Sequence, residues 1–180
     1  LDKLEETANH INSNYGDIAK FYQVDVADLD SVNNLFNNLN KDQIQPDILI
    51  NNAAGNFISR TEDLSPNAIN RIIDIVLKGT VNMTTNFSKQ IMEENKFGTI
   101  LNISTLYAET GSGFVIPSAI SKAGVNTLTK SLAAEWGKYG IRTLAVAPGS
   151  IYTEGAFSRL DPTGEFTKKA KDRLPSGRLG

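Results

Sequence analysis

Apolar positions recur at two different spacings along this chain. Leu1, Leu4, Ala8 and Ile11 repeat every three to four residues, as do Val32, Leu35, Phe36 and Leu39 within DSVNNLFNNLNK (30–41). That spacing puts each set on one face of a helix. Between them, KFYQVDV (20–26) reads as a strand. PDILINNAAG (46–55) is a short, nearly continuous apolar run that stops at small residues, the pattern of a strand buried on both faces. GTILNIST (98–105) and IRTLAVAPGS (141–150) repeat that pattern. Ser65-Pro66 pairs a capping hydroxyl with proline at the first helical position, so a helix is expected from there to about Glu94, loosened near Gly79. A second is expected from about Ile116 to Lys138, and a short third near Gly164–Arg173. Strands alternating with crossover-length helices predict an α/β fold: a doubly wound parallel sheet with helices on both faces. Ligands then bind beyond the carboxyl ends of the strands, where Asp25, the 51–57 segment, Thr105–Tyr107 and Pro148–Ile151 fall.

The start of the chain changes this picture. No capping residue or initiator methionine precedes the first helical pattern. We therefore read residues 1–180 as one domain fragment that begins inside a helix. A first strand, a glycine-rich phosphate loop and a second strand are expected upstream. GSG (111–113) is no substitute for that loop, because its third glycine would fall on Ile116. The chain by itself is accordingly expected to hold a dinucleotide poorly.

Composition removes whole classes of function. The net charge is −2 with no strongly basic run, which leaves no electrostatic footprint for nucleic acid or a membrane surface. No apolar run approaches the ~20 residues a membrane span needs. Cysteine is absent and His10 is the single histidine, so thiol nucleophiles, histidine triads and the usual metal sites are not expected. The sequons at Asn82 and Asn102 both read as incidental, and Asn102 lies in an apolar strand rather than an exposed loop.

Three short motifs carry the candidate chemistry. Small side chains in NNAAG (51–55) let a flat cofactor approach the backbone, and the asparagine amides supply donors and acceptors; a tight turn is the plainer account. Lys122 lies early in a helix, where a cation opposes the helix dipole unless an anion, a phenol or a hydroxyl-rich ligand offsets it. A solvated lysine would need no such partner. APGSI (147–151) ends a strand in a Pro-Gly turn whose backbone could pair with a carboxamide.

The order of these motifs resembles the short-chain dehydrogenase/reductase family: Asp25 after a strand, Asn51-Asn52-Ala53-Ala54-Gly55, NIST (102–105), Lys122 and Pro148-Gly149. Two positions depart from it. Ser118 stands where the family carries its catalytic tyrosine, and Val76 where it carries an asparagine. The 2,4-dienoyl-CoA reductase branch, in its mitochondrial form, accounts for both. The chain is similar to it in NNAAGNFIS (51–59), STLYAETGSGFVIPSA (104–119), LAAEWGKYGIR (132–142) and GAFSRLDPTG (155–164).

The resemblance implies a Rossmann-like fold, NADPH as cofactor and a 2,4-dienoyl-CoA as substrate, reduced in the mitochondrial β-oxidation of unsaturated fatty acids by a homotetramer. Tyr107, Asn56 and Lys122 match the catalytic positions. Asp25, Val26, Asn52, Ala53, Ala54, Lys122 and Pro148-Gly149-Ser150-Ile151 match cofactor positions. Asn56, Phe57, Ser65, Tyr107 and Arg159 match substrate positions, with Ser104, Thr105 and Ser118 in support. Arg159 would meet a phosphate of the coenzyme. A ketone or other acyl-CoA reductase, and a catalytically silent nucleotide binder, are the alternatives.

Overall fold

The computed structural model describes residues 2–153 and 163–180. Helix α1 (Asp2–Tyr15) is followed by α2 (Leu29–Lys41), β1 (Ile48–Asn51), α3 (Pro66–Ile73), α4 (Gly79–Glu93), β2 (Gly98–Ile103), α5 (Tyr107–Thr110), α6 (Ile116–Trp136), β3 (Ile141–Val146) and α7 (Glu165–Arg173). The three strands form one parallel sheet in the order β1-β2-β3. Ile50, Leu101 and Leu144 stand side by side in its register.

Two helices start at a capping side chain. Asp28 caps α2 by accepting from the Asp30 amide, and Ser65 caps α3 by accepting from the Ala68 amide at 3.2 Å, with Pro66 next in line. The loosening expected near Gly79 is a π-helical turn, Asp74–Lys78, which joins α3 to α4 without a break. Leu49 and Ile100 put one face of the sheet against α4, where Phe87 and Ile91 meet Val32 and Phe36 of α2. Ile141 closes the same core beside α6.

Two expectations about strands are corrected. Residues 20–25 form no strand and Val26 enters a turn, because among the described residues no neighbouring strand pairs with them. A lone extended segment must satisfy its polar groups elsewhere. The Asp25 amide donates to Ser31 Oγ at 2.9 Å, and the chain then turns, Asp28 N–H donating to the Asp25 carbonyl at 3.1 Å.

The strands are also not buried on both faces. Ile100 and Asn102 are fully buried under the helices, while Ile48, Ile50, Leu144 and Val146 on the opposite face are each about half exposed. Apolar patterning reports that a face avoids water, and it is silent on which element covers it.

Candidate active site

Five chain segments converge beyond the carboxyl ends of the strands. The loop after β1 brings Asn52, Ala54, Gly55 and Asn56; the turn after β2 brings Ser104 and Thr105; α5 brings Tyr107. Helix α6 adds Ser118 and Lys122, and the segment after β3 adds Pro148, Gly149 and Ile151. Together they line a cleft of about 500 Å3.

Tyr107 and Ser118 meet there. The phenol oxygen lies 3.1 Å from Ser118 Oγ, and the two share a hydrogen bond. Ser118 is only 3 % exposed, so the serine occupies a packed position and cannot be replaced by a larger ring without displacing its neighbours. Lys122 lies one helical turn further along α6, 7 % exposed, and donates its ammonium to the Ile103 carbonyl at the end of β2. Burial pulls its pKa below the ordinary lysine value by disfavouring the charged form.

The loop bearing Asn56 and the loop following Tyr107 are tied together. The Ser59 amide donates to the Phe114 carbonyl at 3.0 Å. Phe114 pays for this position with φ +67°, a left-handed conformation that costs a non-glycine residue about 1 kcal/mol. Nothing in GSGF singled it out, because a phenylalanine after two glycines gives no sign of which residue will take the positive φ.

Below the cleft runs a buried polar ladder. Asn51 donates its amide to Asn102 Oδ1 at 2.8 Å and to Thr84 Oγ1 at 2.9 Å. Asn102, fully buried, donates in turn to Thr129 Oγ1 at 2.9 Å. The ladder joins β1, β2, α4 and α6, the elements that launch the site loops. Ser104 extends the α6 connection by donating to Asn126 Oδ1 at 2.6 Å. A polar residue inside an apolar strand is a signal for such a ladder, since a buried amide needs partners.

Asp25 and Val26 lie apart from the cleft lining and are held by the α3–α4 helix unit. Arg71 reaches Asp25 at 3.5 Å, and Asn82 donates to the Val26 carbonyl at 3.0 Å. A Cβ on Gly79 would stand 2.6 Å from Val26 Cγ2, so only glycine permits this approach.

The remaining candidates divide. Ser65 spends its hydroxyl on capping α3, and Phe57 is 46 % exposed outside the cleft lining. Val76, at the departed family position, is fully buried in the π turn. Arg159 lies outside the described residues. Among the described residues, no three His, Asp or Glu side chains gather in a metal-binding group, and no helix is long and apolar enough to cross a membrane.

The family model for short chain dehydrogenases matches residues 1–161. The chain belongs to that family. It has the family's parallel α/β sheet. An uncharacterised oxidoreductase of Caenorhabditis elegans is 51% identical, covering 100% of this chain and 58% of the relative. A second C. elegans protein, a probable 2,4-dienoyl-CoA reductase, (3E)-enoyl-CoA-producing, is 47% identical over 100% of this chain and 59% of its own length. The chain thus spans about three fifths of these relatives.

Among solved structures, a short chain dehydrogenase from Bacillus anthracis superposes with TM-score 0.86 at 40% identity, covering 100% of this chain and 69% of that one. A gluconate 5-dehydrogenase from Burkholderia cenocepacia, solved with NADP and tartrate, gives TM-score 0.90 at 26% identity over 99% and 69%.

Proposed function

We propose that the protein is an NADPH-dependent 2,4-dienoyl-CoA reductase, with Tyr107 as its acid and Asn56 as a second donor. The observation that carries this reading is the Tyr107–Ser118 contact. A phenol from α5 meets α6 at the serine, instead of growing from the helix one turn before Lys122. The dienoyl-CoA reductase name of the C. elegans relative supports it.

The cleft suits a nicotinamide dinucleotide in its donor set. Lys122 supplies an ammonium for the ribose hydroxyls, and small residues at 52–55 leave the backbone open to a flat ring. Gly149 has open space where a Cβ would stand, so the 148–151 backbone is accessible to the carboxamide. NADP in a solved family neighbour supports the same class of cofactor. Asp25 and Val26 would meet the adenosine end, and Phe57, Ser65 and Arg159 the acyl-CoA.

When bound, the cofactor supplies a hydride, which in this reading reaches C5 of the dienoyl thioester. Negative charge then collects on the thioester oxygen, several bonds from the carbon attacked. Tyr107 and Asn56, on loops joined through Ser59 and Phe114, donate hydrogen bonds to that oxygen. Each such preorganised donor lowers the barrier by about 3 kcal/mol. Proton delivery to the α carbon leaves a 3-enoyl thioester, the product named for the relative. One hydride and one proton are added in total. Ser118 orients the phenol, and Lys122 braces the end of β2 while holding the ribose.

The test is loss of the conjugated dienoyl ultraviolet absorbance with NADPH in the complete protein. Turnover of a ketone with none of any dienoyl-CoA would reject the reading. The mitochondrial compartment and the homotetramer belong to the same proposal. Fractionation of mitochondria against peroxisomes tests the first, and sedimentation tests the second.

A further inference from the structure

A second cleft, of about 300 Å3, adjoins the first along the 148–152 segment. Gly149 and Ile151 line the reacting cleft, and Ser150, between them, lines the second together with Lys169, Ala170, Arg173 and Leu174. The segment is pinned from the same side: the Gly180 amide donates to the Ser150 carbonyl at 3.1 Å, and the Tyr152 amide to the Gly180 carbonyl at 3.2 Å. Leu179, next to this pin, is buried.

Lys169 and Arg173 are four residues apart on α7, so their charges share one face and repel. Basic residues are favoured near a helix C-terminus, yet that preference does not require both to line a cleft with a hydroxyl. Among the described residues Lys169 has only a loose acidic partner, Glu165 at 3.9 Å with both side chains about three-quarters exposed. Arg173 has no acidic partner among the described residues. An ammonium, a planar guanidinium and a hydroxyl around a small cleft match a phosphate group, which a guanidinium grips through two parallel hydrogen bonds.

We propose that Ser150, Lys169 and Arg173 form a phosphate-binding site of this protein. The identity of the phosphate rests on the reductase reading, in which both ligands carry phosphates: the dinucleotide and the coenzyme of the thioester. Two cations here fix the far end of one ligand while its reacting end lies in the neighbouring cleft.

Direct binding by calorimetry on the complete protein tests this, using coenzyme A and NADPH, with N-acetylcysteamine thioester and reduced nicotinamide mononucleotide as partners lacking the distal phosphates. Lys169→Ala/Arg173→Ala is expected to weaken one phosphorylated ligand roughly tenfold, more at low salt, and to leave its truncated counterpart unchanged. Loss confined to coenzyme A assigns the site to the thioester carrier; loss confined to NADPH assigns it to the dinucleotide. Unchanged binding of both, or equal loss with the truncated ligands, overturns the proposal. Both residues are exposed, so circular dichroism and melting should match the parent. Binding does not depend on turnover: a protein that binds through α7 but reduces no dienoyl thioester refutes the reaction and retains the site.

Discussion

The hydroxyl of Ser118 is the smallest group able to bond the Tyr107 phenol from α6, and its replacement separates two roles. Tyr107→Phe removes the donor itself, so kcat is expected to fall about 100- to 1,000-fold with cofactor affinity unchanged. Ser118→Ala removes only the bond that orients the phenol, and about a tenfold loss is expected. Equal losses in stopped-flow single turnovers would show that Ser118 does more than orient. Lys122 makes a different prediction, because burial lowers its pKa. A lysine that binds protons less readily when folded opposes folding while both states are below their pKa values. That penalty is relieved as pH rises from the lowered folded value to the ordinary ~10.5 of the unfolded chain. The stability of the parent relative to Lys122→Met should therefore shift in the parent's favour across the alkaline range. Denaturant melts at stepped pH read this directly; a shift the other way would contradict the burial argument.

Elements show where sequence patterning succeeds and where it stops. Patterning placed α2, α3 and α6 within a few residues, because each has a cap, a proline or a clear apolar face. It failed for residues 20–26, where apolar alternation is present but pairing is not. Asn102 is the instructive case. As a sequon it looked incidental, yet it is the centre of the ladder that holds β1 and β2 to α4 and α6. Asn102→Leu keeps the volume and removes two ladder bonds, leaving Asn51 with Thr84 and Thr129 with the Val125 carbonyl, so a loss of about 2 kcal/mol is expected in urea unfolding. The cleft loops should loosen with it, seen as faster amide exchange at 52–56 and 104–107. Gly79 carries a second element-scale effect. Its Cβ would collide with Val26, so Gly79→Ala should displace the Asp25–Val26 turn and weaken NADPH more than its mononucleotide half. Comparable loss for both would place the damage in the cleft instead. The candidate site was legible only through motif order, since Tyr107, Ser118 and Lys122 converge from two helices that no local pattern brings together.

At the scale of the whole molecule, the two faces of the sheet are unequal. One carries Ile100, Asn102 and Ile141, all buried under helices. The other presents Ile48, Ile50, Leu144 and Val146, with Leu101 between them, to solvent. Parallel sheets are stable when both faces are covered, and contiguous apolar surface of this kind associates with whatever apolar partner it meets. The site sits at the end of these same strands, so an uncovered face also leaves Ile103, whose carbonyl holds Lys122, supported from one side only. The 180-residue chain in isolation is therefore expected to bind a hydrophobic dye strongly, self-associate with rising concentration and hold NADPH weakly. Ile50→Lys with Leu144→Lys should suppress both dye binding and association, because the two side chains flank Leu101 in the register, while far-ultraviolet dichroism stays unchanged. A chain that melts cooperatively without binding dye would show that the open face is tolerated, and that the helix-covered face alone stabilises the sheet.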